Sequence, residues 1–192
     1  PELMVKDLGT RFEVMETNIK KRSVGSPIQA VLDSAEALVQ ENDLAPEKID
    51  RITVRMSDKE SHVVDKRNMP AINLQHILAV FLLDREITFT SSHDEERMLD
   101  PAVLEFRNKV TLVPDPEVPR RQPIVEVATL DGRSISHSTS AVRGTPDNAM
   151  EREEVEKKAL DLLEPVLGRG KSRSLVDAIW NLERVKNLCE LR

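Results

Sequence analysis

A single cysteine, no tyrosine and one tryptophan stand in a chain of 192 residues. The lone thiol, Cys189, cannot build an internal disulfide, a cysteine-rich zinc site or a self-contained iron–sulfur cluster, because each needs several thiolates. A reducing, cytoplasmic setting is the expectation. Apolar runs are short: the longest, Ile77 to Leu83, has seven residues, against roughly 18 or more for a membrane-spanning helix. Pro1 to Thr10 has no apolar signal-peptide core. Phenylalanine occurs only four times, and 34 Asp+Glu against 28 Lys+Arg give a formal charge of -6. Nucleic-acid binders use stacking aromatics and a broad positive field, so neither nucleic acid nor membrane is an expected partner. The 39% hydrophobic content is that of an ordinary globular chain of one or two domains. The opening at Pro1 has two readings: removal of a Met before proline, or a chain cut from something longer.

The hydrophobic pattern switches between strand-like and helix-like periods, which implies an α+β fold. Arg11 to Glu16 alternates like a short strand. In Ile49 to Met56, Ile52, Val54 and Met56 share a face opposed by Thr53 and Arg55. Between these segments, Ile28, Val31, Leu32, Ala35, Leu38 and Val39 form a helical stripe. Ser26 as N-cap, Pro27 at the first helical position and Gln29 closing a capping box mark its start. A second helix, about Asn73 to Asp84, is apolar nearly all round and therefore expected to be buried, with His76 the polar interruption. Ser92 and Glu95 read as another capping box, and a helix follows from about Pro101 to Lys109. Ile124 to Leu130, Asp131-Gly132 and Ser134 to Ser140 read as a hairpin closed by a type I′ turn. One sheet face should be solvated and the other packed on helices. Past the turn chemistry of Arg143 to Asn148 the strand pattern does not return, so a boundary is placed there. Helices at about Glu151 to Leu167 and Ser172 to Leu182 are too few to close a core alone.

Chemistry concentrates in Asn18 to Gln29. Lys20, Lys21 and Arg22 precede a Ser-Val-Gly-Ser turn that runs into a helix N-terminus. There, free backbone N–H groups, about half a unit of positive charge and the close approach permitted by Gly25 suit a phosphate or carboxylate ligand. A solvated basic turn is the plainer reading of the same residues. His76 could act as acid, base or hydrogen-bond donor near neutral pH, or be a core histidine satisfied by backbone. His93-Asp94-Glu95-Glu96 lacks a second histidine at helical spacing and reads as a helix start, so no metal site is expected. Gly168 to Ser172 resembles the end of a phosphate-binding loop, but no strand leads into it, and it reads as a helix-to-helix turn. Cys189 reads as packing.

In order along the chain come Asn18-Ile19-Lys20-Lys21, Val24 to Ala30 (Val-Gly-Ser-Pro-Ile-Gln-Ala) and Asn73 to Val80 (Asn-Leu-Gln-His-Ile-Leu-Ala-Val). His93 to Met98, Asp100 to Leu104, Val113 to Glu117, Ala141 to Asn148 and a helical tail with Trp180 follow. Together these motifs resemble the C-terminal part of the MmgE/PrpD family, which includes 2-methylcitrate dehydratase, cis-aconitate decarboxylase and iminodisuccinate epimerase. The resemblance implies residues 1–145 as a small α+β lid, a two-layer α/β sandwich with an antiparallel sheet. Residues 146–192 would be C-terminal helices that pack with a large helical domain absent from this chain.

It also implies roles. Lys20 matches a lysine that the lid contributes to the substrate site, where it would pair with a substrate carboxylate. Lys21, Gly25 and Ser26 of the same turn are candidate substrate-binding residues. His76 stands where several members place a tyrosine facing the site, and is the candidate catalytic residue of this part. Arg22-Ser23 replace the family's common Tyr-Pro, which points to a different substrate from the best-known members. The implied activity is cofactor-independent dehydration, epimerisation or decarboxylation of a polycarboxylate such as a 2-methylcitrate-like acid, by a homodimer. The principal acid–base residues would lie in the helical domain, so the chain alone is expected to be inactive. The alternative is a non-catalytic lid or assembly module that binds a helical partner.

Overall fold

The stripe from Ile28 to Leu38 forms α1 (Ser26–Asn42), and its apolar residues are buried. Its start departs from a capping box. Gly25 holds the cap position and the Ser26 side chain makes no cap bond. The Gln29 amide turns back instead, accepting from the Arg22 N–H at 3.2 Å and donating to the Arg22 and Val24 carbonyls at 2.7 and 3.2 Å. Arg22 and Val24 are buried, and backbone groups there need partners more than the helix end does. The structure is a computed structural model that describes residues 6–191, with side chains as far as residue 189. The opening at Pro1 and the start of the segment read for a signal peptide lie outside the described residues.

Four strands and seven helices among the described residues make the fold α+β. β1 (Ile49–Ser57) is followed by α2 (Asp58–Val64), α3 (Leu74–Asp84), α4 (Phe89–His93) and α5 (Pro101–Asn108). Next come β2 (Val110–Asp115), β3 (Ile124–Thr129), β4 (Ser134–Ser138), α6 (Arg152–Leu167) and α7 (Arg169–Trp180). α3 is buried from Leu74 to Leu82, as its all-round apolar pattern requires. Asn73 caps it, its side-chain oxygen accepting the His76 N–H at 2.9 Å. The capping box near Ser92 falls earlier, on Thr88 and Ser91. Ser92 is already helical and donates its hydroxyl to the Phe89 carbonyl at 2.9 Å. Gly168, at φ +74°, is the turn between α6 and α7.

The sheet order is β2-β1-β3-β4. β1–β3 and β3–β4 are antiparallel, but β1–β2 is parallel, with Ile52 beside Val110 and Val54 beside Leu112. The sheet is therefore mixed where an antiparallel one was expected: α2 to α5 form the long crossover that a parallel neighbour needs. Ile52, Val54, Met56, Val125 and Val127 face a core shared with α1 and α3. On the opposite face Arg55 meets Asp115 at 2.8 Å and Glu126 at 3.9 Å. This gives two layers, helices on one face of the sheet and partly solvated side chains on the other.

Two local expectations fail. Arg11 to Glu16 is exposed, with a 3₁₀ turn at Glu13–Glu16; alternation makes a strand only where a neighbour supplies backbone partners. The β3–β4 loop is not type I′, because Gly132 alone of its residues has positive φ (+85°). The Gly132 N–H bonds the Thr129 carbonyl and the Thr129 N–H bonds the Arg133 carbonyl, both at 2.9 Å. That is a three-residue loop, a tight turn followed by a glycine bulge.

Candidate functional site

Residues 19–26 form a turn pinned from three sides. The Ile19 N–H donates to the Gly144 carbonyl at 2.8 Å, the Gly25 N–H to the Ala71 carbonyl at 2.8 Å, and Lys158 Nζ of α6 to the Lys20 carbonyl. Gly144 is required there: at φ +94°, a Cβ would lie 1.8 Å from the Ile19 oxygen. Space at Gly25 is limited by Ile72, whose Cγ2 would sit 3.4 Å from an added Cβ. The Gly25 N–H is thus taken up by the protein's own backbone, at the Ala71 carbonyl.

The three cations of the turn have different surroundings. Arg22 is 6% exposed, and its guanidinium meets Asp33 Oδ1 at 2.8 Å and Glu36 Oε2 at 2.6 Å. Lys21 Nζ lies 2.8 Å from Glu36 Oε2 and 4.0 Å from Glu154 Oε1. Burial pushes the Glu36 carboxyl up, but the Lys21 hydrogen bond and the Arg22 and Lys21 charges outweigh it and hold the group below the usual range. Arg143 completes the network. Its N–H donates to Asp33 Oδ2 at 2.9 Å, its Nη1 to Asn148 Oδ1 at 2.7 Å, and its Nε and Nη2 to the Glu154 carboxylate. The Arg143 hydrogen bond lowers Glu154 correspondingly.

Lys20 is outside this network. Its side chain is exposed, donates to the Val24 carbonyl at 3.1 Å and forms no ion pair among the described residues. Beside the turn, a cleft of about 540 Å³ opens between the ends of α1 and α3 and the face of α6, lined by five cations, Lys21, Arg22 and Lys158 among them, and by seven carboxylates, among them Glu36, Glu153, Glu154 and Glu164.

His76 lines neither cleft that borders Lys21. It is fully buried in α3, with no hydrogen-bond partner for Nδ1 or Nε2 among the described residues. Burial first, then the Arg107 and Arg97 charges, pull it down to about 4 against a weaker pull upward from Asp94. The imidazole is therefore neutral near pH 7. His93 is occupied locally, its ring stacked on Phe89 at 4.4 Å and its Nδ1 2.9 Å from the Phe89 carbonyl and the Ser92 hydroxyl.

A family model, the MmgE/PrpD C-terminal domain, matches residues 23–184. The chain belongs to the MmgE/PrpD family. This is a family of polycarboxylate-acting lyases. The MmgE/PrpD match takes in Gly25, Ser26, His76, Arg143 and Lys158, while Lys20 and Lys21 lie just ahead of it. No curated protein matches the chain. Reading the sequence alone missed Arg143, Glu154 and Lys158. The available signal was the i,i+4 spacing of Glu154 and Lys158, which puts both on one helix face. Among the described residues no helix is long and apolar enough to cross a membrane.

Proposed function

We propose that this chain is the lid portion of a cofactor-independent lyase or isomerase that dehydrates, epimerises or decarboxylates a polycarboxylate such as a 2-methylcitrate-like acid. The observation that carries the reading is Lys20. It is the one cation of the basic turn without a carboxylate partner among the described residues, on a backbone pinned at Gly144 and Lys158. An ammonium so placed can pair with a substrate carboxylate and stabilise the charge that builds up as the adjacent carbon loses a proton. Lys21, Gly25 and Ser26 shape the turn that presents it. His76 is the acid–base group of this part; two buried ring nitrogens without hydrogen-bond partners among the described residues are a costly arrangement that packing does not require. The principal acid–base residues belong to a helical domain on another chain or another part of the parent protein, and the working unit is a cytoplasmic homodimer.

The test is an NMR activity screen against citrate-like and succinate-like acids, with this chain alone and co-expressed with the helical half from its own locus. Turnover is expected only with the helical half, and Lys20→Ala should lower it at least tenfold; an unchanged rate removes Lys20 from the site. Retained turnover in His76→Phe leaves that residue a packing role only. The exposed apolar side chains Val166, Ile179 and Trp180 of α6 and α7 favour a second reading, a non-catalytic assembly module that docks on a helical partner. A stable complex without turnover supports it.

A further inference from the structure

The first half of the basic turn is held from outside α1. Among the described residues the Ile19 N–H bonds only the Gly144 carbonyl, at 2.8 Å, and the Lys20 carbonyl accepts only from Lys158 Nζ. The second half answers to α1 instead, through Gln29 on Arg22 and Val24 and through Glu36 on Lys21. Where the Lys20 ammonium stands therefore depends on two outside pieces, the 141–148 loop that presents Gly144 and the turn of α6 that presents Lys158. One side chain joins those pieces. Arg143, next to Gly144, sends Nε and Nη2 to the carboxylate of Glu154, one turn before Lys158. Its Nη1 crosses its own loop to Asn148 Oδ1 at 2.7 Å, and its N–H donates to Asp33 Oδ2 of α1 at 2.9 Å. Glu154 is fixed in turn, accepting the Glu151 N–H at 3.0 Å. A half-buried guanidinium paired in this forked way holds direction as well as distance.

We propose that Arg143 is a positioning residue: it locks the 141–148 loop to α6, so that Gly144 and Lys158 hold Lys20 where a substrate carboxylate meets it. The proposal rests on the reading of Lys20 as a substrate ligand. Arg143 acts without touching the substrate, because a displacement of about 1 Å at a group that orients the reactant can cost about a hundredfold in rate.

The test uses the full chain co-expressed with its helical half, and the acid turned over in the screen of citrate-like and succinate-like acids. Arg143→Gln should lower kcat/KM at least tenfold with Lys20 present and less than twofold once Lys20→Ala is in place, because both changes act through one ammonium. Losses that multiply, with Lys20→Ala itself costly, overturn the proposal and leave the Lys20 reading standing. An unchanged rate in Lys20→Ala removes both. Hydrogen exchange on the full chain needs no turnover: the Ile19 amide should exchange at least tenfold faster in Arg143→Gln, while the Val54 and Val125 amides of the sheet exchange as in the parent. Glu154→Gln, which undoes the same joint from α6, should do likewise. An Ile19 amide unmoved in these variants overturns the proposal.

Discussion

His76 is an imidazole enclosed in the core with both nitrogens unpartnered and its proton affinity lowered to about 4, by burial first and then by Arg107 and Arg97, against Asp94. Its ordinary value, and so that of the unfolded chain, is 6.5. The unfolded chain therefore binds the proton first as pH falls. The stability tied to the neutral ring is complete above pH 6.5 and is lost between there and about 4, below which both states are protonated. His76→Phe should flatten this window: urea midpoints of the parent should fall more steeply than those of the variant between pH 7 and 4. Parallel curves would sink the idea. At this scale the sequence was informative where a residue broke its own pattern, as His76 breaks an apolar helix. It was silent on Lys158, whose contact with Lys20 joins positions far apart in the chain.

Gly144 shows what one position does to an element. The loop from 141 to 148 is closed by the Asn148 side chain on the Ala141 carbonyl at 2.9 Å and by the Gly144 N–H on the Asn148 carbonyl at 2.8 Å. Its glycine touches the turn that carries Lys20. Gly144→Ala combines an unfavourable backbone region with a clash against the Ile19 carbonyl, and should destabilise the fold by about 2 kcal/mol or more. Chemical denaturation would measure this, and hydrogen exchange at the Ile19 amide should accelerate. A loss under about 0.5 kcal/mol with unchanged exchange would mean that the contact is dispensable. The elements most legible in the sequence were those with their own period and ends: α1, α3, α5 and the β3–β4 hairpin. Those misread depended on something distant. The Gln29 side chain was claimed by the turn before it, Arg11 to Glu16 found no partner strand, and β2 joined in parallel through a crossover that periodicity does not encode.

For the whole molecule, the core gathers under the sheet, around α1 and α3, and leaves α6 without a fully buried residue. Val166 is 80% exposed and Ile179 50% exposed. Arg143–Glu154 and Lys157–Glu86 tie α6 to the rest through charge, with Asp161 accepting from the Phe89 N–H at 2.7 Å. Lys157–Glu86 is exposed, and pairs of that kind hold weakly and more weakly in salt, whereas Arg143–Glu154 is half-buried. With these apolar faces uncovered, the chain should self-associate as its concentration rises, and Ile179→Asp should shift sedimentation toward the monomer. A monomer at every concentration in both proteins would show that these faces are tolerated in water.

The two rims of the sheet complete this account. β2 carries Pro114, which has no N–H to offer, and β4 is five residues long with exposed serines at 134, 136 and 138. Short, proline-bearing or polar rims are poor templates for a visiting strand. Fibril-like polymerisation, in which one copy's sheet continues into the next, is disfavoured at both ends.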